Sequence, residues 1–399
     1  MTPSDIILRK ALAASGIPSS DWEAVRAGLR DRAFFSARVQ SLRFLHAARA
    51  RTASLLQAAR RQDGAFETRA SAVSAVMAAA RAEGLGDGSG RITDHASAAR
   101  AALIVGTNAG LAAGHSRHAS ACSPGALAAF PGQELIRIRP ARNPRSWKER
   151  WAAAGGTLRA GRMAALLTDP VWTRISRFGT PYPPFDYNSG MGVRSLPRSE
   201  CLSLGLITED WRPPATSLHD DFNASLTATL DFGHWTDTAL ADLRDHFRDQ
   251  IQEDQHPDGS VTVTWRAHVI RDAFRTAAPG NGSIVKLGKA SRDLLAATPD
   301  ELLPIVKGTG LSVTKELITH AIADGHWPEE KSGLNLPLEE ADLDLIPLLW
   351  RSPDRVTPGN KKSGLSFVLE IDLLTGGTLT MPIRRSGGGC IPLSIWKAK

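Results

Sequence analysis

Cysteine is nearly absent from this chain of 399 residues, which contains only Cys122, Cys201 and Cys390, far apart. An odd and sparse set without metal-ligand spacing argues against a disulfide framework and against a zinc site, so buried thiols are expected. No run of 18 or more apolar residues occurs, and the N-terminus lacks the charged-then-apolar order of a secretion signal. We therefore expect no membrane association and a cytoplasmic location in the producing cell.

Several motifs of known chemistry are also missing. No Gly-x-x-x-x-Gly-Lys-Ser/Thr loop is present, so a P-loop ATPase is not expected, and His-Glu-x-x-His does not occur. No helix-turn-helix, basic zipper or finger pattern indicates sequence-specific DNA binding. His115 and His118 have a spacing that suits two metal ligands, but no third ligand lies nearby in sequence. The sequence therefore predicts neither a metal nor another cofactor.

Charge is distributed unevenly along the chain. Residues 1–200 contain 28 Lys and Arg against 14 Asp and Glu, whereas residues 201–350 contain 12 against 24 and residues 351–399 contain 8 against 3. Opposite signs indicate different partners. The basic residues of the first half are nearly all arginine, which suits phosphate or carboxylate. Nucleic acid and an acidic protein surface both satisfy this pattern, and a GC-rich coding bias is the competing explanation.

Hydrophobic residues make up 42% and charged residues 22% of the chain, which is typical of a globular protein. The patterns predict an α+β multidomain protein. We expect a helical domain over 1–125, an irregular Trp/Pro-rich module over 126–215 and an acidic connector over 216–284. An α+β domain with a small antiparallel sheet is expected over 285–399.

The first segment is expected to be helical throughout residues 4–120, because alanine is abundant and apolar positions recur at three- and four-residue spacing. Residues 19–21 are a candidate N-cap for a helix that begins at Trp22. A glycine-rich turn is expected over 84–90.

A later helix is predicted to be capped by residues 93–94 and to run to about Arg117. Its Gly106, Gly110 and Gly114 recur at four-residue spacing. In a chain without membrane spans this spacing indicates close packing against a neighbouring helix.

Alternation of apolar and polar residues predicts strands over 135–139 and 260–265. Trp147 and Trp151 are four residues apart and should share one face of a short helix as core residues. A helix rich in Asp and Arg is predicted over 234–252.

In the last segment, helices are predicted around 312–324 and 339–349. Strands are predicted over 365–372 and 378–383, and a last one over 391–396.

The most informative segment is 169–192, which is dense in aromatic residues, prolines and glycines. Proline removes a backbone donor and fixes φ, so neither a regular helix nor a regular strand is expected over its length. We expect a rigid, aromatic-lined loop. Such loops serve recognition or assembly, and a structural knot inside one domain is the equally weighted alternative.

This segment carries a family resemblance. Residues 144–147, 150–151, 155–156, 169–172 and 181–191 resemble the core of phage head morphogenesis proteins, the minor head proteins of Mu-like and related tailed phages. The residues that carry the family motif, and that the resemblance assigns to assembly, are Trp147, Trp151, Asp169, Trp172, Tyr182, Pro184, Phe185, Asp186, Asn188 and Gly190.

Two upstream segments, 32–38 and 107–115, resemble helical segments of the same family, so the resemblance covers about residues 25 to 210. One departure matters. Many members end this region with Cys-Arg-Cys, whereas this chain has Ser189-Gly190-Met191-Gly192, so no metal or thiol role is expected there.

The resemblance implies a protein of a phage or prophage that acts with portal and capsid or scaffold proteins in procapsid assembly. It implies a virion location, in the capsid interior or at the portal vertex, after a cytoplasmic stage. DNA packaging or ejection is a further implied role, in which packaged DNA would contact the Arg-rich half. The aromatic loop would then dock by shape on a partner.

The last segment resembles nuclease-like domains of the barnase, EndoU, colicin and RelE type, over the short pieces 317–320, 345–347 and 352–356 and the closing strand. The alternative function is therefore a nuclease-type effector that cleaves RNA or DNA without a metal. Such cleavage needs a base, a cation for the transition state and an acid. The candidates are His320 and His326 as acid or base, Arg384 as phosphate clamp and Ser394 as orienting hydroxyl, with Arg351, Arg385 and Thr378 as further choices. The competing interpretation is that these are ordinary structural residues.

Overall fold

The computed structural model describes residues 1–16, 18, 33–57, 67–141, 144–214, 250–257, 261–276, 282–328, 333, 335–359 and 365–399. Over these ranges the protein is a mixed α+β protein with several separate sheets, as the sequence predicts. The predicted helix start at Trp22 and residues 234–249 of a predicted helix lie outside the described residues.

In chain order, the described α-helices are α1 (Pro3–Arg9), α2 (Leu42–Gln57), α3 (Arg69–Ala82), α4 (Ala98–Ala121), α5 (Pro124–Ala129), α6 (Trp147–Ala153), α7 (Val171–Ile175), α8 (Arg198–Ser203), α9 (Arg266–Thr276), α10 (Arg292–Ala297), α11 (Leu303–Val306), α12 (Lys315–Ala323) and α13 (Ile346–Arg351). A 3-10 helix, Asp342–Leu345, precedes α13.

The described strands are β1 (Ala11–Leu12), β2 (Ala33–Phe34), β3 (Gly132–Arg137), β4 (Ala164–Leu166), β5 (Met191–Leu196), β6 (Ile251–Gln255), β7 (Val261–Trp265), β8 (Ser283–Lys289), β9 (Gly310–Thr314), β10 (Arg355–Pro358), β11 (Ser366–Asp372), β12 (Thr378–Ser386), β13 (Gly389–Pro392) and β14 (Trp396–Ala398).

The chain divides into two compact units. Unit 1 consists of Met1–Lys10, Ile17–Ala37 and Arg51–Phe222, and unit 2 of Ala11–Gly16, Arg38–Ala50 and Asn223–Lys399. Helix α2 crosses the boundary, because its residues up to Ala50 belong to unit 2. The division into four segments stays a prediction.

The expectation of helix throughout residues 4–120 is wrong in two places. β1 and β2 are short strands, and α2 begins only at Leu42. Both strands are apolar and buried, so their residues satisfy the apolar pattern of a helix equally well.

The N-cap of α4 is Ser97, whose hydroxyl accepts a hydrogen bond from the Arg100 amide at 3.1 Å. The prediction of a cap at residues 93–94 is therefore three residues too early. The Asp94 carboxylate instead accepts from the amides of Gly90 at 3.0 Å and Ala96 at 2.9 Å, so it stabilises the preceding turn. Asp and Ser both cap helices and turns, so local sequence does not separate the two roles.

A three-stranded antiparallel sheet of order β4–β3–β5 forms the centre of the second part of unit 1. Its two faces carry separate apolar clusters, as period-two alternation requires. Leu135, Met191 and Val193 belong to a cluster with the tryptophans of α6 and α7, whereas Leu196 belongs to a cluster with Cys201 of α8. The predicted strand over 135–139 is present, but it starts at Gly132 and ends at Arg137.

Unit 2 is built on a seven-stranded sheet of order β10–β11–β12–β13–β9–β8, with β14 pairing with β12. The pairings are antiparallel except for the parallel contact of β13 with β9. In β11 the odd-numbered residues Phe367, Leu369 and Ile371 are buried, and Leu369 lies opposite Met381 of β12 in the core. A separate two-stranded sheet pairs β6 with β7.

Three predictions for unit 2 need correction. Ile251 and Gln252 belong to β6 and do not end a helix. Residues 312–314 belong to β9, so helix α12 starts later, at Lys315. The predicted last strand over 391–396 is two strands, β13 and β14, because the chain turns after Pro392, which has no amide hydrogen to donate to a ladder.

Buried ion pairs link α2 to the rest of unit 2. Arg49 pairs with Asp344, which also binds Arg271 at 2.9 Å, and all three side chains are at most 2% exposed. His46 lies 3.2 Å from Asp342, and Lys397 lies 3.4 Å from the same carboxylate.

The pKa values of both aspartates reflect this setting. Burial acts to raise the pKa of Asp344, but the charges of Arg271 and Arg49 outweigh it and hold the pKa below its usual value. Burial likewise opposes the lowered pKa of Asp342, which His46 and Lys397 maintain.

Candidate functional site

The family-motif aromatics form the core of the central module of unit 1. Trp151 and Trp172 meet edge to face with ring centroids 5.1 Å apart, and Trp172 stacks on Phe185 at 6.0 Å. The Trp151 indole donates to the Thr157 carbonyl at 3.2 Å, and that of Trp172 donates to the Leu166 carbonyl at 2.8 Å. The prediction that Trp147 and Trp151 share a face of a short helix as core residues is confirmed, because both are buried on α6.

The loop at 181–186 packs on helix α4. A Cβ on Gly114 would lie 2.0 Å from the Pro183 carbonyl oxygen, and one on Gly110 would lie 3.2 Å from the Pro184 ring. The Tyr182 hydroxyl lies 3.1 Å from Nδ1 of His115. The small-residue spacing therefore does mark a close approach, but at Gly110 and Gly114 the neighbour is this loop and not a helix.

Helix α4 also contacts residues 36 and 37, which belong to the most N-terminal of the segments that resemble the phage family. Arg100 donates to the Ser36 hydroxyl at 2.8 Å and to the Ala37 carbonyl at 3.2 Å. Burial lowers the pKa of Arg100 from its usual value. Helix α4 thus contacts both of the other segments that resemble the phage family.

Asp186 is the charged centre of the loop. Its side chain is 4% exposed, and its carboxylate lies 3.1 Å from Arg145, 2.9 Å from Arg150 and 3.7 Å from Arg177. It also accepts the Tyr187 amide at 2.8 Å. This fixes the loop, because a buried carboxylate must be paired with cations and donors.

The remaining motif residues hold the backbone. Asp169 accepts the Val171 amide at 2.8 Å at the start of α7. Asn188 has φ of 48° and Gly190 has φ of 67°, a region that L side chains rarely adopt. A Cβ on Gly190 would also lie 2.3 Å from the Arg139 carbonyl oxygen. The motif residues therefore maintain the internal structure of the module.

This burial corrects one expectation. Trp172, Tyr182 and Phe185 are at most 4% exposed, so they do not offer aromatic anchors to a partner. Of the two interpretations of 169–192, the structural one accounts for these aromatic residues. A partner would have to bind other groups of the module.

His115 and His118, whose spacing would suit two metal ligands, lie beside this loop. Nε2 of His118 is 3.5 Å from the Cys122 sulphur, one turn further along α4. Burial, and then the neighbouring His115, lowers the pKa of His118 to about 4, and burial raises the pKa of Cys122. Both groups are neutral at pH 7, so this pair lacks the thiolate that a nucleophile needs. No group of three or more His, Cys, Asp or Glu in the described ranges is placed to hold a metal ion.

In unit 2, two of the four catalytic candidates meet at a residue that sequence reasoning missed. Glu316 of α12 lies 3.1 Å from Nη2 of Arg384 and 3.7 Å from Nε2 of His320. All three side chains are accessible, with 32%, 39% and 47% exposed. The i, i+4 spacing of Glu316 and His320 on a predicted helix was the available signal.

The other candidates have different partners. Ser394 donates to Asp324 at 3.1 Å, and the His326 ring lies 5.8 Å from that of Trp396. Among the further choices, Arg385 donates to the Pro304 carbonyl at 3.0 Å and Thr378 to Asp372 at 2.9 Å. The Arg351 carbonyl accepts from Ser291. In these contacts, the five residues bind partners outside the Glu316–His320–Arg384 group.

The Glu316–His320–Arg384 group contains the residue types that phosphodiester cleavage requires. A carboxylate can take a proton, an imidazole can give one, and a guanidinium can bind the phosphate. The arrangement sits on one exposed helix face and the adjoining strand, where a polymer could approach.

Comparisons of the chain with protein-family models, with curated proteins and with solved structures found no match. In the part of the chain that the structure describes, no helix is both long and apolar enough to cross a membrane.

Proposed function

We propose that the protein is a minor head protein of a tailed phage or prophage, which acts with portal and capsid or scaffold proteins during procapsid assembly. The observation that carries the proposal is the contact of α4 with both other resembling segments. Arg100 binds residues 36 and 37, and Gly114 abuts the Pro183 carbonyl. Segments far apart in sequence that resemble one family therefore lie in contact within one unit.

The charge of the chain supports a role in assembly. Residues 1–200 have twice as many basic as acidic residues, 28 against 14. Such a surface attracts acidic protein surfaces or DNA, with an affinity that falls as salt rises. In this role the protein belongs to the virion, in the capsid interior or at the portal vertex.

Peptide mass spectrometry on density-purified particles of the producing strain tests this function. Copy number is measured against the major capsid protein. We expect peptides from both units at a small, fixed number of copies per particle. Absence of both units from purified particles and from procapsids would refute the proposal.

A second function, phosphodiester cleavage, is favoured by one observation, the Glu316–His320–Arg384 group. We propose that Glu316 takes a proton from the attacking hydroxyl, Arg384 binds the phosphate and His320 protonates the leaving oxygen. With RNA, attack by the 2′-hydroxyl would break the bond to the 5′-oxygen and leave a 2′,3′-cyclic phosphate. This role and the assembly role are compatible.

The cleavage test uses the full chain, because residues 38–50 belong to unit 2. Labelled RNA and DNA are incubated with the protein in the presence of EDTA, and RNA ends are examined for cyclic phosphate. His320→Ala is expected to lower the rate about 100-fold or more. Thr319→Ala, on the same helix, is the matched control and should cleave normally. Equal rates for His320→Ala and the parent chain would exclude this site.

A further inference from the structure

A cavity of about 440 Å³ lies between the sheet of unit 1 and the start of helix α6. Its volume is within the range of ligand sites. The lining has an apolar part and a charged part, supplied respectively by Leu135, Trp147, Met163 and Met191 and by Arg137, Arg145, Lys148 and Glu149, with Ser146 between them.

Trp147 has an unsatisfied donor at this cavity. The residue is 4% exposed, and its indole nitrogen is buried with no hydrogen-bond acceptor among the described residues. The two other tryptophans of the same core, Trp151 and Trp172, each donate to a backbone carbonyl. A buried donor without a partner is unfavourable, so an acceptor brought by a ligand would be stabilised here.

Two basic side chains that line the cavity form no ion pair with a described residue. Lys148 is exposed and has no ion pair or hydrogen bond among the described residues. Within the part of the chain that the structure describes, Arg137 makes one long hydrogen bond, of 3.4 Å, to the Ser189 carbonyl. Arg145, by contrast, is already paired with Asp186. The positive charges of Lys148 and Arg137 are therefore available to an anionic group, whereas Arg145 is part of the cavity wall.

We propose that this cavity docks a peptide segment of a protein partner in which an acidic side chain adjoins an apolar one. The carboxylate binds Lys148 and Arg137, and the apolar side chain packs on Met163 and Met191. Methionine side chains are flexible and accommodate different apolar shapes. A carbonyl or carboxylate oxygen of the peptide accepts the Trp147 indole hydrogen.

Peptide fits better than nucleic acid for two reasons. Base binding uses exposed aromatic faces, whereas Trp147 is buried and the Arg150 guanidinium covers its ring at 5.0 Å from the centroid. A nucleic acid would also bring a series of phosphate charges close to Glu149, whereas the peptide brings a single carboxylate. The inference rests on the proposed assembly role only for the source of the peptide.

The binding test uses the purified full chain and labelled, end-blocked peptides that carry Glu or Asp beside Leu or Phe in a Gly/Ser background. Fluorescence anisotropy measures the affinity. A matched set has Gln or Asn in place of the acid. We expect saturable binding of the acidic set and at least about tenfold weaker binding of the amide set.

Variants locate the binding. Lys148→Glu should weaken binding about tenfold and leaves the fold intact, because the side chain is exposed. Trp147→Phe keeps a ring but removes the donor and should weaken binding about threefold. Arg117→Glu, an exposed cation on α4, makes the same charge change elsewhere in unit 1 and should bind normally. Unfolding midpoints are measured in parallel, and Lys148→Glu decides the outcome if Trp147→Phe unfolds.

Three results would overturn the proposal. No saturable binding by any acidic peptide is the first, and equal weakening by Arg117→Glu and Lys148→Glu is the second, since it would indicate general charge attraction. The third is a combined result in which a single-stranded oligonucleotide binds, Lys148→Glu abolishes that binding, and no peptide binds. The particle measurement is independent of all three, so failure of the cavity is distinguishable from failure of the assembly role.

Discussion

Arginine–carboxylate pairs occur in both units, and they differ in how far water reaches their side chains. On the sheet of unit 1, Arg194 binds Glu134 at 2.7 Å with 44% of its side chain exposed. In unit 2, Arg49 and Asp344 pair with at most 2% exposed. Solvent screening makes the first kind weak, whereas removing one partner of the second leaves a charge without compensation. The same two residue types therefore matter to very different degrees.

The units also differ in where their notable residues lie. The residues of unit 1 that carry a family resemblance, such as Trp172 and Phe185, are buried in a core. The candidates for chemistry in unit 2, His320 and Arg384, are exposed. The buried motif residues of unit 1 therefore indicate how that module packs. The exposed residues of unit 2 indicate which side chains a substrate can contact.

Neutralising the buried carboxylate of Asp344 is the strongest test of the contrast between buried and exposed ion pairs. Asp344→Asn leaves Arg49 and Arg271 buried without a counter-charge and is expected to cost unit 2 about 3–5 kcal/mol. Asp372→Asn removes an exposed carboxylate paired with Arg355 in the same unit and should cost about 0–1 kcal/mol. Urea unfolding followed by hydrogen exchange measures each unit separately. Similar losses in the two variants would contradict the contrast.

The stability of unit 1 should depend more on side-chain volume at its close contacts than on its exposed charges. Gly114→Ala places a Cβ 2.0 Å from the Pro183 carbonyl and is expected to cost about 3 kcal/mol, since backbone must move. Gly125→Ala is the matched control, because nothing lies within 4 Å of its new Cβ. It should be neutral or stabilise helix α5 by up to about 1 kcal/mol. Thermal unfolding distinguishes the two, and a tolerated Gly114→Ala would show that the loop can move away.

Acid should weaken unit 2 through its buried pairs. The pKa values of Asp342 and Asp344 are lower in the folded chain than the usual value of about 3.9. Their contribution to stability is therefore complete above about pH 4 and is lost as the pH falls below it. The loss should be smaller than that of Asp344→Asn, because a lowered pKa keeps part of the carboxylates ionised at mildly acidic pH. Urea midpoints of unit 2 between pH 7 and 3 test this, and Asp344→Asn should show a flatter profile.

The smallest effect is expected at the exposed pairs of unit 1. Arg194→Gln should change stability by about 0–1 kcal/mol, and by less at high salt, because its partners remain in water. A large, salt-independent loss would mean that exposure does not decide the strength of these pairs.

Periodicity predicted those elements whose residues alternate or repeat clearly. Strands β11 and β12 have buried residues at every second position, and Trp147 and Trp151 are four apart on α6. Where two nearby residues could both cap the same helix, the local sequence did not identify the correct one. Asp94 and Ser97 are both capping residues, and only the hydrogen bonds of the folded chain separate their roles.

Contacts between distant segments were beyond sequence reasoning. The spacing of Gly110 and Gly114 predicted a close neighbour, but not that it would be a loop about 70 residues later in the chain. The candidate site was half predicted. His320 and Arg384 were named from a resemblance, whereas Glu316, which connects them, was not. Strand β12 and helix α12 bring these residues together, and no local pattern encodes that pairing.

The assignment of residues 38–50 to unit 2 has a consequence for synthesis on the ribosome. Arg49 donates to the Ala341 carbonyl, and the two residues are separated by 292 positions. At a translation rate of about 5–20 residues per second, Arg49 waits roughly 15 to 60 seconds for its partner to be made. During that time a guanidinium destined for burial is in water, and the apolar side chains beside it are uncovered. Nascent chains of this protein are therefore expected to be clients of ribosome-associated chaperones until the last strands emerge.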